Sequence, residues 1–532
     1  MTRRFLIGLL ALVACWGCIY EYESPDGCPD GPYYLSLLLQ PQGDEASDAA
    51  DTKATNNLDV LFRHGTVEEM LVASVDLYFY ASDGSYQDHR HQGISDGQQT
   101  EGNSNPLESE VGSGVVGPLD YRPYRMLVMA NLGSAQAAAL ENRSLSEVKD
   151  EIQSGAVWQS AAVDVTYQGV VYHLSPYIMS ACSFLGVTGN EINAVAISER
   201  YLRHTEAEAA AEPIPIYLER MAARVTVMIK QQGNEAVPSF PLPAVTARDN
   251  VTARVEVTGW ALNATNNESY VVKRIRPDWK NSFSWTWNSA SRYRSYWAED
   301  TNYSPDDNPA AYSFVSWNDL TNTLPLGQFG LNQENYFMGR AHCLENTSGV
   351  GNPATLYSRS THLLVKARLR FGLSSGTDPD GYTTAGTVYR YRGVFYTATN
   401  LPVAPSDPEV TAFEDGEMYY KVPIEHLGGW DGTGAGYPVG TYGIVRNHCY
   451  EITLDGVFGV GTPRPADLAA PIVPTVTSSE KTVSLFTQVK TWTQFEQRFV
   501  FYDPRSGAVY YDVRTDGQKH EGDYNSNNGD WY

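Results

Sequence analysis

Basic side chains are in short supply: 38 Lys and Arg stand against 62 Asp and Glu, a net charge of −24. A surface of that sign repels phosphate backbones and argues against nucleic acid as a partner. Cysteine is scarce too, six in 532 residues. Cys15, Cys18 and Cys28 crowd near the start, while Cys182, Cys343 and Cys449 lie far apart. That spacing matches neither a zinc site nor a dense disulfide framework, and the disulfide state of the three distant thiols stays open. Beyond the first residues, no apolar run approaches the roughly 20 residues that a membrane helix needs. Helix signals are few. Ser144-Leu145-Ser146-Glu147, ahead of Val148 and Ile152, has the form of a capping box and predicts one short helix.

What is present favours strands. Tyr (35), Gly (45) and Pro (29) are abundant, a composition of sheets and turns. Leu35, Leu37 and Leu39 alternate with Ser36 and Gln40; Val75, Leu77 and Phe79 repeat the pattern. Val225, Val227 and Ile229 alternate with Thr226 and Lys230, and Val251, Ala253, Val255 and Val257 with polar residues. A period of two means one buried face and one wet face, as in antiparallel sheets. Asp83-Gly84, Asp415-Gly416, Asp455-Gly456 and Asp516-Gly517 follow such runs, where tight turns need positive φ. The expected fold class is all-β.

Three segments read as linkers. Gly43 to Asn57 is acidic and without periodicity; Thr205 to Pro215 is a Glu/Ala run ended by Pro213 and Pro215; Pro463 to Glu480 is proline-rich. The second marks a domain boundary. At the start, Arg3-Arg4 and the apolar run Phe5 to Ala14 have the form of an export signal. Cys15 directly follows Leu12-Val13-Ala14 and resembles the acylated cysteine of a bacterial lipobox; Cys18 is the alternative. The expected location is the outer membrane or cell surface.

Catalytic patterns occur as letters without their context. Gly93-Ile94-Ser95-Asp96-Gly97 spells a nucleophile elbow, but its flanks are polar where an apolar strand and a helix belong. His89 and His91 lack a third metal ligand nearby in sequence and read as loop side chains. His448 beside Cys449 would point to the opposite face of a strand. No catalytic residue, metal or cofactor is expected. Trp279, Trp285, Trp287, Tyr293, Tyr296, Trp297 and Tyr303 crowd one segment, either to cover the end of a sandwich or to stack on sugars.

Several segments resemble Bacteroidales fimbrillins, the subunits of type V pili. Tyr124 to Leu132 contains a match to an "LVxAN" strand, and Leu218-Glu219-Arg220-Met221-Ala222-Ala223-Arg224-Val225 to an "ERxxAxV" strand. Gly259-Trp260-Ala261-Leu262-Asn263 with Ser269-Tyr270-Val271-Val272 is similar to a third segment. Most specific is Gly443 to Ile452 followed by Gly459-Val460-Gly461-Thr462-Pro463, similar to a C-terminal "RNHxYxI…GxGTP" signature.

The resemblance implies two tandem transthyretin-like β-sandwich domains, export as a lipoprotein, and polymerisation by strand exchange. A first strand would leave after cleavage, and the C-terminal strand of a neighbour would fill its groove. In this chain the displaced strand would carry Leu35, Leu37 and Leu39; the donor would carry Val483, Leu485 and Val489, with Trp492 and Phe495 capping the pocket. Cleavage would fall at Lys53 or Arg63, the basic residues that follow the first strand. The implied layout is a signal over 1–14, a lipidated segment over 15–53, sandwiches over 54–212 and 213–480, a donor appendage over 481–501, and an extra hairpin and polar tail over 502–532. The hairpin, Phe499 to Tyr511 around Asp503-Pro504-Arg505-Ser506-Gly507, extends past the expected end and favours an accessory or tip role. Partners would be other fimbrial subunits and the outer membrane. The rivals are an anchored glycan-binding lipoprotein that uses the tryptophan cluster, and a surface hydrolase.

Overall fold

The structure is a computed structural model. It describes residues 32–40, 62–63, 67–94, most of 111–275, parts of 298–313, 336–347, 360–373, most of 382–424 and 442–464, and 492–501, 511–514, 524–525 and 530–531. The chain is all-β in its main elements, as its alternation predicts.

The N-terminal half is built on one large sheet. Its principal strands are β1 (Tyr33–Gln40), β2 (Ser74–Tyr80), β3 (Tyr86–Gly93), β4 (Val111–Leu119), β5 (Arg125–Ala130), β6 (Met179–Ala181) and β7 (Ile214–Arg220). They run in the order β3-β2-β5-β6-β7-β1-β4. Val75, Leu77 and Phe79 of β2 meet Leu35 and Leu37 of β1 and Ile214, Ile216 and Leu218 of β7 in one buried cluster. Strands distant in the order thus share a core, so the sheet curls on itself. The opposite face of β2 and β5, with Tyr78, Tyr80, Leu127 and Met129, is covered by Ala137, Leu140, Leu145 and Val148. These come from α2 (Ser134–Leu140) and α3 (Leu145–Lys149); α1 (Val67–Met70) precedes β2. The capping box at Ser144 forms, with its hydroxyl and the Glu147 carboxylate each serving the other's backbone.

The C-terminal half has two facing sheets. The first holds β8 (Ala222–Lys230), β10 (Tyr336–Leu344), β13 (His448–Val457) and β14 (Trp492–Phe501), in the order β14-β13-β8-β10. The second holds β9 (Val251–Asn263), β11 (His362–Leu373) and β12 (Glu417–Pro423), with β11 between the other two. Val225, Val227, Ile229, Ile452 and Leu454 from one sheet pack with Val255, Val257, Leu363, Val365 and Val422 from the other. This apolar layer between two sheets explains the strict alternation of the strand sequences.

Three local readings change. Residues Glu206–Ala211 form a helix, α4, with the Thr205 hydroxyl as N-cap, where the sequence suggested a linker. Alanine and glutamate favour helix once a cap is supplied. Ile214–Arg220 lies inside the N-terminal sheet, so the junction falls at Met221 rather than at Pro213. Asp455-Gly456 is no turn: it lies within β13, where the pairing with β14 shifts register between Leu454 and Gly456. Asp83-Gly84 and Asp415-Gly416 do turn, with Gly84 at φ 84 and Gly416 at φ 72; Asp516-Gly517 lies outside the described residues.

Candidate assembly site

β1 fits between two neighbours rather than lying at an edge. It runs parallel to β7, with Leu37 opposite Ile214 and Leu39 opposite Ile216. On its other side it runs antiparallel to β4, with Leu35 opposite Val116 and Ser36 opposite Val115. Leu35 and Leu37 are completely covered. Ser36 points to the other face and is buried as well, because α4 lies there and the Ala209 carbonyl accepts its hydroxyl at 2.6 Å. Tyr34 and Arg203 exchange both backbone hydrogen bonds, at 2.8 and 3.0 Å. Gly117 of β4 has φ 153, and a Cβ there would meet the Tyr34 ring at 2.6 Å and the Tyr33 carbonyl at 2.8 Å. β1 is therefore seated against bare backbone.

Removing β1 would open a long slot lined by apolar core. Covering Tyr33, Leu35 and Leu37 at ~1.5–3 kcal/mol each contributes roughly 5–9 kcal/mol to its seating. The two backbone ladders add to that, and any replacement strand must match both.

A junction of buried polar groups lies beside this sheet. β7 passes into β8 through the single residue Met221, so one stretch of chain serves both halves. Glu69 of α1 is buried, ion-paired to Arg224 at 2.8 Å and in hydrogen-bond contact with His342 Nε2 at 2.7 Å. Arg220 donates to the Glu69 carbonyl and, at 3.0 Å, to Asn447 Oδ1. Lys273 meets Glu219 at 3.2 Å, both buried. Arg446 donates to Glu345, to Ser269 Oγ and to the Tyr270 carbonyl, at 2.5, 2.9 and 2.7 Å. The "ERxxAxV" and "RNH" motifs are thus two sides of one junction. Asn447 takes a φ of 60, a left-handed conformation that asparagine tolerates, and its N–H donates to Ala222. Asn131 of the "LVxAN" motif works alike at φ 61: its amide donates to the Leu71 and Tyr177 carbonyls and accepts from the Ala73 N–H.

His448 and Cys449 form no catalytic pair. His448 Nδ1 is turned to the Arg446 carbonyl at 2.7 Å, and burial, helped by Lys273, lowers the imidazole to about 3. Burial pushes the Cys449 thiol up to about 11, although Arg224 donates to its sulfur at 3.2 Å. A ring this weakly basic and turned to a carbonyl is a poor base, and a buried thiol held protonated is a poor nucleophile at neutral pH. Cys343 and Cys449 are free and buried. His89 and His91 lie on strand β3, not on a loop.

Other sequence-predicted positions are placed only in part. Cys15, Cys18, Cys182, Lys53, Val483, Leu485 and Val489 lie outside the described residues, as do Trp279, Trp285, Trp287, Tyr293, Tyr296 and Trp297. Tyr303 packs at the margin of the C-terminal core. Trp492 and Phe495 belong to β14, which here runs parallel to the chain's own β13, with Phe495 opposite Tyr450. Trp492 is also the backbone partner of Arg63. β14 also pairs antiparallel with Tyr511–Arg514, Phe499 opposite Tyr511; the residues between, around Asp503-Pro504-Arg505-Ser506-Gly507, lie outside the described residues. Among the described residues no helix is long and apolar enough to cross a membrane.

The chain is thus an all-β protein whose first described strand is held between two neighbours inside a sheet. Residues 411–498 match the family described as major fimbrial subunit protein type IV, fimbrillin, C-terminal. That match contains β12, β13 and most of β14, so the fimbrillin resemblance drawn from the sequence holds there. No curated protein matches the chain. Among solved structures, a candidate cell adhesion protein of Parabacteroides distasonis is 12% identical, with 92% of this chain and 100% of that chain covered and a TM-score of 0.38. A fimbrilin of Porphyromonas gingivalis is 14% identical, covering 88% and 97%, at 0.31. A tip fimbrial protein of the same organism, truncated at its C-terminus, is 11% identical, covering 73% and 99%, at 0.25. Scores this low mark a loose correspondence.

Proposed function

We propose that this chain is a structural subunit of a surface fimbria that supports adhesion, without catalysis of its own. It is exported as a lipoprotein through Cys15, or Cys18, and joins its neighbours by strand exchange. Cleavage at Lys53 or Arg63 frees β1, and the C-terminal strand of the next subunit enters the slot with Val483, Leu485 and Val489 inward and Trp492 and Phe495 at the mouth. The observation that carries this reading is the seat of β1. It is bonded on both edges and covered on both faces, yet joined to the rest by a segment that holds the candidate cleavage residues.

The parallel pairing of β14 with β13 favours a second reading: an accessory or tip subunit whose C-terminal strand stays in its own sheet. Fimbriae sheared from cells and sequenced from the amino terminus separate the two. A polymerising subunit is abundant along the filament and begins at Ala54 or His64. An accessory subunit is sparse. A protein absent from filaments, still starting at its acylated cysteine with β1 in place, ends the fimbrial reading.

A further inference from the structure

The stretch from Arg203 to Ile214 forms an arch whose two feet stand on β1. At one foot Arg203 exchanges both backbone hydrogen bonds with Tyr34; at the other Ile214 pairs with Leu37. Between them α4 (Glu206–Ala211) lies over Ser36, and Arg203 is ion-paired to Glu212 across the base of the arch. Ser36 is 6% exposed, and its hydroxyl donates to the Ala209 carbonyl at 2.6 Å. That carbonyl belongs to a helix tied down on both sides, so it does not swing aside for a larger side chain. Tyr34, two residues earlier on the same face, meets a different neighbour. Its half-buried ring lies over Gly117, where no side chain intervenes. The outer face of the slot therefore discriminates by size. A ring fits at the place of Tyr34, and only a small residue fits at the place of Ser36.

One other segment of the sequence has the same order of residues. Leu35-Ser36-Leu37-Leu38-Leu39-Gln40 and Val483-Ser484-Leu485-Phe486-Thr487-Gln488 share serine, leucine and glutamine at the same spacing, with apolar residues in the first and fourth places. The order Ser-Leu-x-x-Gln occurs nowhere else in the chain. In a strand, Val483 and Leu485 share one face and Ser484 and Phe486 the other. Leu485 and Phe486 are both large and apolar, so burial alone leaves the inward face undecided. The arch decides it, because it admits Ser484 and rejects Leu485.

We propose that α4 sets the register of strand exchange. Residues 482–488 of a second copy of this chain enter the slot in the direction of β1, with Ser484 under α4 in the place of Ser36. Val483 and Leu485 then take the places of Leu35 and Leu37, and the Ser484 hydroxyl inherits the Ala209 carbonyl. This rests on the reading that β1 leaves and a C-terminal strand replaces it; it adds the residue that selects the strand and fixes its register. A slip of one residue would bring Val483 or Leu485 under α4 and turn the serine into the core.

The seat is measured first, in the purified full-length chain. Ser36→Phe should lower the melting temperature by about 3 °C or more, and Ser36→Ala by less than half as much. Small and equal shifts would show that the arch gives way, and the proposal falls. Assembly is then read on cells, as subunit ladders that resist mild denaturant. Ser484→Phe should reduce the ladders by about tenfold or more, while Ser484→Ala keeps them. Thr482→Phe should keep them as well, because its counterpart Tyr34 is itself a ring. The isolated Ser484→Phe chain should melt with the unaltered protein; a lower melting temperature would place Ser484 in its own core and overturn the proposal. Ladders lost equally with Thr482→Phe also overturn it. Ladders that survive Ser484→Phe but vanish with Leu485→Asp overturn the register and leave strand exchange standing, whereas ladders unchanged by both remove strand exchange through this segment too.

Discussion

Arg446 and Glu345 are both fully buried and 101 residues apart in sequence, yet Arg446 Nη2 stands 2.5 Å from Glu345 Oε1. The guanidinium also reaches Ser269 and the Tyr270 carbonyl. The segment containing both, Glu268–Tyr270, pairs with Ile152–Ser154 of the N-terminal half. A single side chain therefore links the C-terminal signature to a strand contact between the halves. Arg446→Ala would leave the Glu345 carboxylate buried without its cation. The expected loss is about 3–5 kcal/mol, read from urea unfolding. Replacing both residues by leucine should recover part of that loss, since two apolar groups need no partner. A loss below 1 kcal/mol for the single change would mean that water reaches the carboxylate.

Acid should loosen the fold in a defined window. Burial holds His448 and His362 at about 3, far below the ordinary imidazole value of 6.5. Each ring therefore binds its proton more readily in the unfolded chain. Stability is complete above pH 6.5 and falls as pH drops from there towards 3, by about 1.4 kcal/mol per pH unit for each histidine. Urea midpoints measured at pH 7, 5.5 and 4.5 should decline steadily. His362→Asn should flatten the slope. An unchanged slope would show that another group governs the acid limb.

Much of the fold is legible in the sequence because it rests on local alternation. Val225-Val227-Ile229 and Val255-Val257 announce their buried faces, and Leu35-Leu37 announces a strand. What sequence reading missed depends on pairing across distance. Glu69 and His342 are 273 residues apart and meet only because α1 packs beside β10. Asp76 reads as a polar position between Val75 and Leu77, and nothing in its neighbourhood names His89 or His91 as partners. The Glu/Ala run before Pro213 reads as a linker because its composition is polar, whereas the Thr205 cap and the seat on β1 make it a helix. Ser36 alternates with Leu35 and Leu37 and so marks a wet face in the sequence, whereas the cover over it comes from the distant α4.

Gly117 sets how closely β1 can approach β4. Gly117→Ala would put a methyl group within 2.8 Å of the Tyr33 carbonyl, a backbone atom that cannot swing aside. The expected cost is about 1–3 kcal/mol, concentrated on β1 rather than spread over the protein. Hydrogen exchange should accelerate at the amides of Leu35 and Leu37 while β8 and β11 stay protected. Uniform acceleration across both halves would show that β1 does not come away as a separate unit.

The proposed donor strand can be tested at the apolar residues proposed as its anchors. Leu485→Asp places a carboxylate where strand exchange requires burial in a neighbour's slot, at a cost of several kcal/mol without a partner charge. The slot offers none along β1, whose inward positions are Tyr33, Leu35 and Leu37. The isolated chain should melt within about 1 °C of the unaltered protein, because Leu485 precedes β14 and its contacts with β13 begin at Thr493. On cells, the altered subunit should reach the surface but fail to form ladders that resist mild denaturant. Ladders that persist unchanged would move the donor to β14 or to Tyr511–Arg514, which pairs with it. Unfolding of the isolated chain would instead place Leu485 in its own core, and strand exchange through this segment would be ruled out.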